Sequence, residues 1–386
     1  MIFSLFTLAS LLPLAQALIR FPCSQLVTER FDPLVTPGVV SPHLHQIIGG
    51  VRPFNLTMDT TLDFPSVATC TTCRFKENKS NYWTAVMYFK HPNGSYIRVP
   101  QIPNTGTGSP NGGMTVYYIQ PPTNEKVTAF PKGFRMITGD PMRRDRPGLD
   151  RTLPESYSLS FRCWESKEVF DPSNMFPPGA GQYDSFELPT KKCPGGIRSN
   201  TFFPSCWDGK NIDSPSHHSH VAFMTGTVDP NAGVILMDGA CPSSHPVRIP
   251  MVFFETVWDT PRFHDMWPTD GSQPLVLSMG DPTGFGHHGD YMFGWEGDAL
   301  QRAMDSCTDI FGDPATCQRQ GGLTLQTDAE MNACTKAVQV DEVTEGTFLE
   351  KLPGCNPVQD GPASATMAPA CDAVSTTLPL PEATTA

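Results

Sequence analysis

Histidine is the residue that could do chemistry here. Ten histidines occur in 386 residues, and eight of them fall in four short clusters: His43-Leu-His45, His217-His218-Ser-His220, His264 and His287-His288. On a strand, positions i and i+2 share a face, so His43 with His45 and His218 with His220 have the spacing of a two-toothed metal clamp. Gly286-His-His-Gly-Asp290 places a carboxylate beside the last pair. Imidazoles converging with carboxylates suit Zn²⁺, Cu²⁺ or Mn²⁺. They equally suit metal-free acid–base work, because imidazole titrates near neutrality. A third option needs no chemistry: histidines satisfied by backbone and carboxylates in loop cores. The metal-binding candidates are His43, His45, His218, His220 and His287; the catalytic candidates are His218, His288 and Asp290.

The motifs that would name a reaction are missing. There is no His-Glu-x-x-His, no Gly-x-Ser-x-Gly elbow, no P-loop and no dinucleotide fingerprint. A copper brace needs an N-terminal histidine, and the processed chain is expected to start at Leu18. Asp259, Asp265, Asp281, Asp290, Glu296 and Asp298 crowd into 40 residues. Two of them at about 5–10 Å would serve a glycosidase, but spacing cannot choose the pair. Aromatic residues adjoin these carboxylates, and Tyr291 and Trp295 are the candidates for a sugar-stacking platform. Arg162 is the candidate for binding an acidic sugar, with Arg248 a weaker one.

The elements that must position these residues read as short strands. Tyr82–Phe89 and Ser95–Val99 flank an Asn93-Gly94 turn and predict a hairpin. Met114–Ile119, the alternating Ser156–Cys163, Val221–Met224, Val247–Phe254 and Pro274–Ser278 continue the set. Such a series predicts a mainly β domain, an antiparallel β-sandwich or jelly-roll with long disulfide-stapled loops. Gly139–Pro154 and Asp171–Ser216 read as irregular insertions, the second stapled through Cys193 and Cys206. Glu296–Cys307 and Asp328–Val338 read as helices, the second capped by Thr327. The expected domains are a signal peptide over 1–17, the β domain over 18–305, a disulfide-stapled helical appendage over 306–357 and a disordered tail over 358–386.

The apolar start, ending at Ala15-Gln-Ala17, is too short for a comfortable membrane span and fits a signal peptide. Twelve cysteines, all beyond it, read as disulfides of an oxidising compartment. Cys70-Thr-Thr-Cys73 lacks the second pair of a zinc ribbon. Sequons at Asn55, Asn78 and Asn93 suggest a glycosylated surface. A net charge of −12 argues against nucleic acid as a partner, and no membrane anchor is expected. The protein is therefore expected to be secreted.

Several strings together resemble a secreted fungal family known only as a domain of unknown function: Ser41-Pro-His-Leu-His-Gln46, Asn81-Tyr-Trp-Thr-Ala85, Phe134-Arg-Met-Ile-Thr-Gly-Asp140, Phe202-Phe-Pro-Ser-Cys-Trp-Asp-Gly209, Ser216-His-His-Ser-His-Val221, Cys241-Pro-Ser-Ser-His-Pro246 and Gly289-Asp-Tyr-Met-Phe-Gly-Trp295. Members are sometimes joined to WSC carbohydrate-binding modules. The resemblance transfers no catalytic residue. It implies an extracellular setting and makes cell-wall or plant polysaccharide the expected partner. The expectation is a protein that acts on such a glycan, as a hydrolase or lyase, or binds it without catalysis.

Overall fold

The computed structural model describes residues 18–51, 63–103, 112–122, 125–167, 171–175, 179–307, 309 and 311–367. The expected signal peptide, the Asn55 sequon and the last nineteen residues of the expected tail lie outside them. Among the described residues the chain is mainly β, and every strand pairing is antiparallel.

Two sheets pack face to face. One orders its strands Leu18–Ser24, Gly113–Ile119, Met251–Trp258, Gly196–Phe202 and Leu159–Trp164. The other runs Val27–Glu29, His45–Val51, Asn81–Ala85, His288–Met292 and Arg135–Gly139, with Cys70–Thr71 beside the second. Alternate side chains fill the space between: Phe21, Val116, Tyr118 and Phe254 from the first sheet meet Ile48, Tyr82 and Tyr291 from the second. The antiparallel sandwich expected from the strand pattern is the observed architecture.

The second sheet buries its other face too. Ile47, Trp83 and Met292 on that face pack against Phe31 and Leu34 of the segment after Glu29, and against Phe64. This small outer core holds the site described below.

Several local expectations hold with shifted bounds, but the stretch 171–216 is not all irregular: Gly196–Phe202 within it is a strand of the first sheet, held by pairing on both sides. Met87–Lys90 and Tyr96–Arg98 pair as the hairpin across Asn93-Gly94, while Asn81–Ala85 leaves for the six-stranded sheet. Residues 154–157 form a helical turn, so the strand begins only at Leu159; Pro154 at the first helical position favours this. Helices occupy Ala299–Ser306 and Asp328–Ala333, the latter closed by a capping box on Thr327 and Glu330.

Five disulfides join described cysteines: Cys23–Cys73, Cys70–Cys334, Cys163–Cys193, Cys206–Cys241 and Cys307–Cys317. Cys193 and Cys206 thus pair outward and not with each other. Cys70–Cys334 ties the C-terminal segment to the sandwich, as do the buried ion pair of Lys336 with Glu29 at 2.7 Å and that of Arg30 with Glu342 at 2.5 Å. The first tail residues dock as well: Ala365 N–H donates to Met142 O and Arg144 Nε–H donates to Gln359 O. Gln359 and Ala365 thus find backbone partners outside the tail.

Candidate metal centre

The His288–Met292 strand lies in the middle of the six-stranded sheet, between Asn81–Ala85 and Arg135–Gly139. Its alternation sends His288, Asp290 and Met292 to the outer core, and Tyr291 to the space between the sheets. His45 opens a strand of the same sheet, opposite Ala85. His43 reaches the spot from the preceding loop. The three rings meet: His43 Nε2 is 3.1 Å from His288 Nε2, and His45 Nε2 is 3.4 Å from it. One nitrogen from each ring lies within 4.8 Å of the other two.

Neighbours fix which nitrogens face inward. His45 Nδ1 donates to Phe31 O at 3.0 Å, and His288 Nδ1 donates to Gly286 O at 2.9 Å. A carbonyl only accepts, so each Nδ1 carries the ring proton and each neutral ring presents a bare lone pair at Nε2. The His45 and His288 lone pairs therefore point at each other with no hydrogen between them. Protonation is a poor remedy. Burial holds His45 and His288 down at about 4, and pushes His43 well below the usual histidine range, helped by His45, His288 and Arg144. A bound cation resolves the conflict. Zinc-bound nitrogens at ~2.0–2.1 Å in a tetrahedral site stand roughly 3.3 Å apart, close to both separations at His288. Imidazoles whose second nitrogen is anchored on a backbone carbonyl are the usual form of a metal-bound histidine.

The carbonyl behind His288 is itself held. Asp281 is fully buried and accepts from Gly284 N at 3.1 Å and Gly286 N at 2.7 Å. Arg144, 3.7 Å from Asp281, donates to Met279 O and Pro141 O. Two more carboxylates lie in the outer core. Asp32 accepts from Leu34 N and Val35 N at 3.1 and 3.0 Å. Asp290 is buried, and its Oδ2 has no partner among the described residues. Burial and the nearby Asp32 push the Asp290 carboxyl well above the usual range.

The structure redistributes the other expected site residues. His287 points between the sheets, where its Nε2 meets Thr201 Oγ1 at 2.8 Å, so His288 and not His287 joins His43 and His45. Adjacent strand residues cannot share a face. His218 and His220 lie in a turn, not on a strand. His218 is exposed, with Nδ1 on Ser216 O. His220 is buried and uses both nitrogens, on Ser214 Oγ and Arg135 O. Neither joins the centre. Tyr291 and Trp295 form no sugar platform. They are 0% and 2% exposed and belong to a buried network in which Tyr118 Oη is 2.8 Å from Tyr82 Oη, 3.0 Å from Tyr291 Oη and 3.1 Å from Trp295 Nε1. Arg162 is likewise buried, bonded to Asp184 and Gly179 O, and Arg248 is held by Glu125 and Gly239 O. Sequence reading missed Asp32 and gave Asp281 only as one of six crowded carboxylates; no motif marks either, and only the fold brings them to the histidines.

Comparison with known proteins now adds a family. A family model described as "Domain of unknown function (DUF1996)" matches residues 32–295. The chain belongs to this family. The matched span contains His43, His45 and His288, as well as Asp32 at its first position and Asp281. No curated protein and no solved structure matches the chain.

Proposed function

We propose that this member of the DUF1996 family is an exported metalloprotein that holds one divalent transition-metal ion on His43, His45 and His288 and acts on cell-wall or plant polysaccharide. The observation that carries the metal reading is the pair of proton-free Nε2 lone pairs facing each other at 3.4 Å. Three imidazoles leave a fourth position for water, and a metal there would supply Lewis-acid chemistry or a bound hydroxide. The chain's own part is to fix two of the three rings, His45 through Phe31 O and His288 through Gly286 O, and to keep the surroundings dry through Phe31, Leu34 and Trp83.

Five disulfides support export, since such bonds persist in oxidising compartments. Among the described residues no helix is long and apolar enough to cross a membrane. Elemental analysis of protein purified without added metal tests the proposal. One equivalent of metal in the native protein, absent from His288→Ala, is expected; a metal-free native protein that also fails to take up zinc or cobalt rejects it.

A second reading keeps the glycan and drops the catalysis: a structural or carbohydrate-binding wall glycoprotein whose metal only braces the fold. The burial of His43, His45 and His288, at 6%, 0% and 5% exposure, favours it, because no sugar ring reaches the ligands past the covering segment. Glycan pulldown without product release is its signature, and product loss in His288→Ala is the signature of the first reading.

A further inference from the structure

The first sheet has an outer face besides the one that meets the second sheet. Phe21, Val116, Tyr118 and Phe254 point between the sheets, so their strand neighbours Arg20, Tyr117 and Glu255 point outward. Register sets this outer face side by side: Arg20 lies opposite Tyr117, Thr115 opposite Glu255, and Val257 opposite Arg198. Trp164, two residues beyond Arg162 on the edge strand, shares the face and lies opposite Gly196, which has no side chain to cover it. Ile102 N donates to Val257 O at 2.8 Å, which brings the segment through Ile102 and Pro103 alongside the strand end. A cavity of about 370 Å³ lies between these groups, in the size range of small-ligand sites.

Three of the lining residues hold hydrogen-bonding capacity that the protein leaves unused. Glu255 Oε2 accepts from Tyr117 Oη at 3.0 Å and faces Arg198 Nη1 at 4.0 Å, whereas Glu255 Oε1 has no partner among the described residues. Arg20 Nε donates to Tyr117 Oη, also at 3.0 Å, and its Nη groups have no partner among them. Trp164 is 6% exposed, yet its Nε1–H is buried and donates to nothing there. A buried donor left unpaired is a cost that an acceptor on a ligand removes. The other charges are already engaged: Arg74 donates to Gln326 O and Asp328, and Asp313 accepts from Thr316 N and Thr316 Oγ1. Two guanidiniums and two carboxylates line the cavity, so it carries no net charge to select an ion. A carboxylate oxygen that only accepts, together with guanidinium and indole N–H groups that only donate, matches a ligand group that does both. Hydroxyl is such a group, and the CH faces of a sugar ring match the apolar lining of Pro22, Ile102, Val257 and Leu325.

We propose that this cavity binds a neutral sugar unit of a polysaccharide, with Glu255 accepting from its hydroxyls and Arg20 and Trp164 Nε1 donating to them. The proposal rests on the glycan half of the reading above and not on the metal. It puts the glycan on the outer face of the first sheet, whereas the three histidines lie on the outer face of the second, so the sugar has no need to reach the enclosed ligands.

Isothermal titration of the full-length protein with neutral oligosaccharides of glucose, mannose, xylose and N-acetylglucosamine, and with an oligogalacturonate as the acidic probe, tests it. Wild type should bind at least one neutral member. Glu255→Gln and Arg20→Gln should each weaken that binding about tenfold or more, and Trp164→Phe about fivefold. Trp164→Phe keeps an aromatic ring and removes an N–H that no protein group uses, so its thermal melt should match wild type; an indole present only for packing predicts unchanged affinity. His288→Ala should bind the sugar as wild type does. Thermal melts confirm that each variant is folded. Neutral-sugar binding intact in all three cavity variants overturns the cavity and leaves the glycan reading standing, as does binding lost in His288→Ala alone. Binding of oligogalacturonate and no neutral member overturns the proposed ligand class. A wild-type protein that binds nothing in the panel overturns the glycan reading itself, and the cavity's role with it.

Discussion

Acid titration of the metal-free protein gives the most direct test of the site's electrostatics. Burial holds His45 and His288 down at about 4, against an ordinary histidine value near 6.5. Between these values the unfolded chain takes up protons that the folded chain refuses. Stability is therefore fully present above about pH 6.5 and is lost as pH falls toward 4. Each pKa unit is worth about 1.4 kcal/mol, so each histidine accounts for on the order of 3 kcal/mol over that window. The two rings interact, so twice that figure is a ceiling. The assay is urea unfolding at half-unit steps from pH 7 to pH 4, in wild type and His288→Ala. His287, held down at about 3 by burial and in part by His288, contributes the same downward trend in both proteins. The stability gap between wild type and variant should shift against wild type by about 3 kcal/mol on acidification. Zinc at a hundred times its Kd should add about 2.7 kcal/mol to wild type at pH 7 and nothing to the variant. Parallel pH curves for the two proteins, or zinc stabilising both equally, would refute the reasoning.

Other outcomes follow from the same geometry. Asp281→Ala releases the Gly284 and Gly286 amides that set the carbonyl behind His288, and leaves Arg144 buried without its carboxylate; metal affinity should fall about 10- to 100-fold, with about 3–5 kcal/mol lost from stability, read by isothermal titration and denaturant melts. Tyr118→Phe removes the hub of the Tyr82–Tyr291–Trp295 network; it should cost about 1–3 kcal/mol in denaturant unfolding while metal content stays at the wild-type value. Peptide mapping after expression through a secretory route should find glycan on exposed Asn93 and none on Asn78. Asn78 is fully buried and donates to Tyr82 Oη at 2.9 Å, so a sugar cannot be carried there in this fold. Replacing Cys70 and Cys334 together by alanine opens a closed loop of 264 residues' separation; the chain-entropy ceiling is about 5 kcal/mol, and calorimetry should show a lower Tm.

Much of this protein was determined by sequence alone. Strand alternation and the Asn93-Gly94 turn are local signals, and they marked the hairpin and four sandwich strands, Asn81–Ala85, Gly113–Ile119, Leu159–Trp164 and Met251–Trp258, because backbone geometry at period two needs no distant partner. The cluster His43-Leu-His45 was legible for the same reason: two imidazoles two residues apart are neighbours wherever the chain goes. Tertiary structure decided the rest. His287 and His288 are equal in sequence, and only the register of their strand against Thr84 and Gly139 sends one into the sandwich and the other to the centre. His218 and His220 have the same spacing as His43 and His45, yet a turn in place of a strand splits them between solvent and a backbone-bonded core position. Tyr291 and Trp295 look like binding aromatics until the second sheet closes over them. Convergence of residues 43, 45 and 288 spans about 240 positions of chain, and such contacts are set by how two sheets pack, which no local pattern encodes.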